Sequence, residues 1–153
     1  MMAEKKTFPM LPIAHWSSLR KKFQQSIPGV VTDTYIATVL NMEAKSARAN
    51  VLPYLRILGI INDDLKTTAR AKAWRDDDLY PTVCVEMLGE IYPEELIHAV
   101  PDATNNRTAA ERWFANHTGT GTAAVKRMTA LYAAYFGFIA KPNSVSPAPT
   151  ITY

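Results

Sequence analysis

Residues 32–68, TDTYIATVLNMEAKSARANVLPYLRILGIINDDLKTT, decide the fold of this chain. Apolar residues recur at helical spacing in two runs, and the first run ends at Asn41, a residue type that tolerates the left-handed conformation at helix ends. The pattern predicts a first helix capped by Thr32 or Asp33, a tight turn, and a second helix over about 43–58. Two helices joined by so short a turn are typical of a helix-turn-helix.

The rest of this stretch predicts a break in the second helix and a short β-wing. Pro53 lies inside that helix, where it removes a backbone donor and clashes one turn back, so we expect a kink or an early break near Ala49–Asn50. Gly59 ends the helix. Residues 60–67 read as strand, turn and strand, and a further helix follows from 69 to about 75. This order indicates a winged helix-turn-helix in a mainly α protein.

Basic residues on this half suggest a surface for DNA. In a helix-turn-helix the start of the second helix faces outward and enters the major groove, where basic and hydroxyl side chains meet phosphates and base edges. A helix predicted over His15–Ile27 carries a further basic cluster. The alternatives are a solvated helix face and a protein-docking module, because fold alone does not imply function. The predicted DNA-binding residues of this half are Arg20, Lys21, Lys45, Ser46, Arg48 and Lys66.

The distribution of charge says more than its sum. The chain has 153 residues and a formal net charge of +3. Residues 76–105 carry eight acidic side chains and no Lys or Arg, whereas the segments on both sides are basic. A nucleic-acid-binding protein would present the basic segments and turn the acidic one away. The acidic segment could instead dock a basic partner or simply add solubility.

The chain has the length of one domain or of two small subdomains that share a core. We predict a winged-helix subdomain with an N-terminal arm at 1–75, a helical subdomain at 76–140 and a flexible tail at 141–153. No run of about 18 apolar residues and no secretory signal are evident, and one cysteine excludes an intramolecular disulfide framework. A cytoplasmic protein without a membrane partner is expected.

The second half contains motifs that resemble reactive sites but have simpler explanations. Three aspartates at 76–78 favour a loop that leads into a helix, because acidic side chains stabilise a helix N-terminus. Cys84 lies on the apolar stripe of Val83–Ile91, which indicates a buried thiol with a packing role. Glu95 and His98 give one copy of the Glu-x-x-His pattern of di-iron bundles, which need two copies and further glutamates. The sequence therefore predicts no metal and no cofactor.

A turn late in the chain provides a second candidate for contact with DNA. Two predicted helices flank a Gly-Thr-Gly sequence, an arrangement that resembles the helix-hairpin-helix motif, in which hairpin amides and a helix N-terminus hold a backbone phosphate. Thr120 departs from that motif, which usually has a hydrophobic residue there. A plain helical hairpin is the alternative, since glycines permit turns that side chains would block. The residues at matching positions are Gly119, Thr120, Gly121 and Lys126.

Three stretches together resemble an uncharacterised prokaryotic domain-of-unknown-function family. They are LPIAHWSSLRKKFQQSIPGVVT at 11–32, KSARANVLPYLRILGII at 45–61 and ERWFANHTGTG at 111–121. The likeness spans most of residues 8–136. It implies a winged-helix front half and a helical back half, and it implies no known activity.

The sequence favours a small, non-enzymatic protein that binds double-stranded DNA as a regulator or an accessory factor. It shows no nucleophile paired with a base and no phosphate-binding P-loop, and its three histidines are scattered among different predicted elements. The alternative is a protein–protein interaction module, in which the winged helix serves docking or homodimer formation.

Overall fold

The computed structural model describes residues 8–140, and within that range the chain is mainly helical, as predicted. Residues 1–7 of the predicted arm and the predicted flexible tail at 141–153 lie outside the described residues. The helices of the described part are α1 Ile13–Gln25, α2 Asp33–Leu40, α3 Ala44–Asn50, α4 Leu52–Leu58, α5 Ala69–Arg75, α6 Tyr80–Ile91, α7 Glu94–Ala99, α8 Arg107–Thr118 and α9 Thr122–Ala140.

The ends of α2, α3 and α4 follow from single residues. The Thr32 hydroxyl caps α2 by accepting the amide of Tyr35 at 3.0 Å. Asn41 ends α2 with a φ of 57°, and Gly59 ends α4 with a φ of 80°. Val51 interrupts the second predicted helix, two residues before Pro53, so the expected break is confirmed within one residue of its predicted position.

The predicted two-stranded β-wing is wrong for the described residues. No strand forms between residues 8 and 140, where only two isolated antiparallel bridges occur, Val30 with Lys66 and Ile61 with Thr67. Residues 65–67 nevertheless lie between two backbone segments. They form backbone hydrogen bonds with Gly29 and Val31 on one side and with Asn62 on the other. The pairing cannot lengthen, since the residues that follow on two of these segments begin α2 and α5 directly.

A local turn replaces the expected wing. The side-chain oxygen of Asn62 accepts the amides of Asp64 at 2.9 Å and of Lys66 at 3.0 Å, which closes the loop on itself. Leu65 takes a φ of 65°, so the chain leaves the extended conformation at the point where a second strand would begin.

One hydrophobic cluster extends through both predicted subdomains. Trp16 on α1 contacts Trp74 of α5 and Tyr135 of α9 edge to face, each with ring centroids 5.5 Å apart. Its indole N–H donates to the hydroxyl of Tyr80 at 2.7 Å. The arm joins the same core, because Phe8 is buried and stacks on Tyr92. The first helix therefore packs against elements on both sides of the predicted boundary at 75.

Cys84 lies inside this cluster, fully buried on α6. Burial raises the pKa of its thiol to about 12, because an apolar interior disfavours the thiolate. The thiolate is the reactive species, so the buried group is chemically inert at neutral pH.

We expect slow labelling of Cys84 by a thiol reagent in the native protein, because both access and ionisation oppose the reaction. Labelling should reach the rate of a free cysteine only when urea unfolds the chain. The measurement is the time course of absorbance with a chromogenic disulfide at pH 8. Rapid labelling without urea would show that the thiol is reached from solvent and that its role is not packing.

Candidate nucleic-acid interface

The first turns of α3 carry the basic residues that face solvent. Lys45 and Arg48 are exposed, and Ser46 is half-buried. The Arg48 guanidinium donates from Nε at 3.0 Å and from Nη2 at 2.7 Å to one oxygen of Asp33. That bond holds the pKa of the Asp33 carboxyl below its ordinary value. Lys45 forms no ion pair with any residue between 8 and 140, so its charge is available to a ligand.

The loop that replaces the wing carries mixed charge. Lys66 is exposed there, and the acidic side chains of Asp63 and Asp64 are exposed at its tip. The two carboxylates would repel a phosphate backbone at close range, whereas Lys66 would attract it. This loop therefore contributes at most one favourable charge to a DNA surface.

Arg20 has a structural role that the sequence did not reveal. Its Nε donates to the Trp74 carbonyl at 2.7 Å, and its Nη2 donates to Asp77 at 2.7 Å. Its guanidinium carbon lies 3.6 Å from the centroid of the Tyr80 ring, and only 11% of the side chain is exposed. These contacts join α1 to α5 and α6, so Arg20 has a structural role, and its contact with DNA stays a prediction. Lys21, the next residue, is exposed.

The hairpin between α8 and α9 is shaped by Gly119 and Thr118. Gly119 ends α8 with a φ of 67°, a conformation that glycine adopts without strain. The Thr118 hydroxyl is buried and accepts the amide of Thr120 at 3.3 Å. One hairpin amide is therefore already used inside the protein. The amides of residues 121–124 precede the first intrahelical bond, which runs from Val125 to the Gly121 carbonyl at 3.0 Å.

Gly121 is not required by the turn. It has no positive φ, and a Cβ added to it would meet nothing within 4 Å. The interpretation that both glycines permit the turn is therefore wrong for Gly121, and the need rests on Gly119 alone. A substitution at Gly121 is consequently expected to be tolerated.

Lys126 follows the hairpin on the exposed side of α9, with 65% of its side chain accessible. Its ammonium lies 3.8 Å from the Glu111 carboxylate of α8. An exposed pair of this kind contributes about 0–1 kcal/mol, so the lysine can exchange its partner for a phosphate at little cost. Further exposed cations on α8 and α9 are Arg107, Arg112 and Arg127.

The Glu-x-x-His spacing of α7 resembles a pair of metal ligands, but Glu95 contacts a histidine of another helix. Glu95 lies 3.5 Å from Nε2 of His117 on α8, and that ring stacks on Trp113 with centroids 4.0 Å apart. No group of three or more possible metal ligands occurs in the part of the chain that the structure describes. Within the same residues, no helix combines the length and apolar character needed to cross a membrane.

The described chain is thus a mainly α-helical protein with exposed basic residues on a short helix, a loop and a helical hairpin. It belongs to DUF5343, a family of unknown function whose model matches residues 16–139. The predicted membership of an uncharacterised domain family is confirmed. No curated protein and no solved structure matches the chain.

Proposed function

We propose that this protein is a small, non-enzymatic protein that binds double-stranded DNA, with the start of α3 in the major groove. The observation that carries the proposal is the exposed pair Lys45 and Arg48 on α3, directly after the tight turn at Asn41. The second helix of a helix-turn-helix presents the same part of its surface to base edges and phosphates.

A winged-helix arrangement is part of this proposal. Residues 60–67 fold back after α4 and pair with residues 29–31, which precede α2. In a winged helix the wing follows the recognition helix in chain order, and here residues 60–67 follow α3 and α4, the two parts of the predicted second helix. Here the wing would be reduced to a loop that Asn62 closes, with Lys66 on one side.

The ion pair between Arg48 and Asp33 does not prevent contact with DNA. The Arg48 side chain is 64% exposed, and exposed pairs contribute little to stability because solvent and salt screen them. A guanidinium has five N–H donors in a planar fork, so Arg48 can bond a phosphate while Asp33 retains one donor. Asp33 would then orient Arg48 toward the groove.

Replacing both Lys45 and Arg48 with alanine should weaken binding to a DNA duplex. The plot of log affinity against log salt concentration should flatten by about one unit for each phosphate that the variant no longer neutralises, because fewer counterions are released on binding. The measurement is fluorescence anisotropy of a labelled duplex at several salt concentrations.

The matched control is Lys22→Ala with Arg56→Ala, which removes the same charge from exposed positions outside the proposed interface. This control should keep the affinity and the salt slope of the wild-type protein. If a folded Lys45 and Arg48 double variant binds with unchanged affinity and slope, the start of α3 does not contact DNA.

We further propose that the hairpin at 119–121 makes a separate, sequence-independent contact with the DNA backbone. The amides of residues 121–124 and the ammonium of Lys126 lie at the start of a 19-residue helix, whose N-terminal dipole favours a phosphate. Such a contact adds affinity equally for all sequences, since phosphates carry no base information.

The variant Lys126→Glu should lower affinity for all duplexes alike and leave the melting temperature almost unchanged, because Lys126 is exposed. The variant Glu111→Gln is the informative control, since it removes the same internal ion pair but leaves the lysine charge in place. That control should bind as well as the wild type or better. If the Lys126→Glu protein binds DNA at low salt with the affinity of the wild type, the hairpin is only a structural turn and does not contact DNA.

A protein-interaction module is the second candidate, and exposed apolar residues on both halves favour it. Val30, Ile57, Leu79 and Val85 are each more than a third exposed. Apolar surface gives binding that salt does not weaken, whereas phosphate contacts weaken steeply with salt. Retention on a DNA column across a salt gradient therefore distinguishes the two functions.

A further inference from the structure

An open groove of about 600 Å³ lies between the C-terminal ends of α1 and α5. Small-molecule pockets have volumes of roughly 300–1,000 Å³, so the groove has room for a ligand the size of a mononucleotide. It shares no residue with the predicted DNA-binding set. Its lining consists of Gln24, Ile27, Lys72, Arg75, Asp76 and Asp77.

The two carboxylates of the groove both accept hydrogen bonds from the protein, but only Asp77 forms an ion pair. Asp77 accepts from Arg20 at 2.7 Å and from the Gln24 amide at 3.0 Å. Asp76 accepts the amide of Asp78 at 2.8 Å and so shapes the turn before α6. The charge of Asp77 is balanced by Arg20, which reduces its repulsion of an incoming anion.

The two cations of the groove have no such partners. Neither Lys72 nor Arg75 forms an ion pair with another described residue. One Arg75 nitrogen donates to the Gln24 carbonyl at 3.4 Å, which steadies the guanidinium and leaves its other donors for a ligand. The groove therefore holds two cations without ion-pair partners, one carboxylate whose charge Arg20 balances, and one, Asp76, that keeps its charge.

Gln24 and Ile27 suit the remainder of a ligand. The amide nitrogen of Gln24 donates to two acceptors, the Arg75 carbonyl at 2.9 Å and Asp77 at 3.0 Å. These two acceptors fix the orientation of the amide, so its oxygen remains as an acceptor for a ligand N–H or O–H. Ile27 is half-buried and supplies an apolar wall.

We propose that this groove binds a small phosphate monoester, with its phosphate between Lys72 and Arg75. A phosphate monoester carries nearly two negative charges at neutral pH, which two cations neutralise. The planar fork of Arg75 meets two phosphate oxygens together, and Lys72 adds a mobile point charge. The body of the ligand lies against Ile27 and reaches the Gln24 oxygen. The site is independent of the proposed contact with DNA.

Isothermal titration of the full chain at low ionic strength tests the site with three probes: adenosine monophosphate, inorganic phosphate and adenosine. We expect both phosphate probes to bind and adenosine not to bind. The double variant Lys72→Ala with Arg75→Ala should bind the monophosphate about tenfold or more weakly, since it loses both charged partners of the phosphate. Lys72 is exposed, so Lys72→Ala alone should fold. It should also bind the monophosphate more weakly, which tests the site even if the double variant unfolds.

The control is again Lys22→Ala with Arg56→Ala, which should bind the monophosphate as the wild type does. An equal loss in this control would reveal unspecific attraction to a basic protein and overturn the site. Absence of phosphate binding to the wild type would also overturn it. If the double variant loses affinity for a DNA duplex while the monophosphate never binds, the two cations hold backbone phosphates and the small-ligand proposal is wrong.

Discussion

Replacing Arg20 with alanine is expected to lower the free energy of unfolding by about 2–4 kcal/mol, a large effect for one substitution. The change removes the bond from Nε to the Trp74 carbonyl and the interaction of the guanidinium with the Tyr80 ring, 3.6 Å from its centroid. A hydrogen bond from a charged donor contributes about 1.5–3 kcal/mol, and a partly desolvated cation–π interaction about 0.5–2 kcal/mol. The measurement is urea unfolding followed by tryptophan fluorescence.

Two further variants separate the parts of this effect. Lys21→Ala changes the neighbouring exposed cation and should alter the stability by less than about 0.5 kcal/mol. Arg20→Lys keeps the charge near Asp77 but loses the planar fork, so it should recover only part of the loss. If Arg20→Ala unfolds at the same urea concentration as the wild type, the contacts of Arg20 do not stabilise the packing of α1 against α5 and α6.

Arg20 also marks a limit of what the sequence could predict. Its basic neighbours Lys21 and Lys22 share its charge, and the helical pattern alone placed all three near the exposed side of the predicted helix. The distinguishing partner is Asp77, 57 residues away, for which the local pattern predicted only a position before a helix. Pairing across such a distance depends on how α1 and α6 pack, which local periodicity does not encode.

Local rules predicted much more of the helical structure. Thr32, Asn41 and Gly59 act through their own side chain or backbone, so their positions at helix ends could be predicted and are confirmed. The prediction of a β-wing was wrong because these residues have two competing structural preferences. Ile60 and Ile61 favour a strand, but the side chain of Asn62 closes a turn before a ladder can form.

The candidate surface for DNA was predictable only in its residue types. The sequence identified Lys45, Arg48 and Lys126 as basic residues near helix starts, but it could not show which of them pair internally. In the structure Asp33 pairs with Arg48 and Glu111 with Lys126, whereas Lys45 has no partner among residues 8–140. The sequence did not single out the groove cations Lys72 and Arg75. Their availability to a ligand depends on the pairing of Asp77 with Arg20, which lies 57 residues away in the chain.

The largest effect of a single added methyl group is expected at Gly59. Its φ of 80° is a conformation that costs other residues about 1–2 kcal/mol, and an added Cβ would lie 2.7 Å from Nη1 of Arg70. That guanidinium is the end of a flexible side chain, but it donates to the Leu58 carbonyl at 3.1 Å and to Glu90 at 2.8 Å, so its displacement would weaken these bonds. We expect Gly59→Ala to lower the free energy of unfolding by about 2–4 kcal/mol, measured by urea denaturation.

Gly89→Ala is the matched control, because it makes the same chemical change with the opposite expected sign. Gly89 lies inside α6, has no positive φ, and its added Cβ would meet nothing within 4 Å. Alanine there should raise stability by about 0.5–1 kcal/mol, since it restricts the unfolded chain and favours the helix.

Introducing Gly59→Ala into an Arg70→Ala protein then separates the contact of the added Cβ with Arg70 from the backbone strain at Gly59. In that background the cost should fall to about 1–2 kcal/mol, the value for backbone strain alone. An unchanged cost would show that Arg70 yields freely and that the loss comes only from the left-handed conformation.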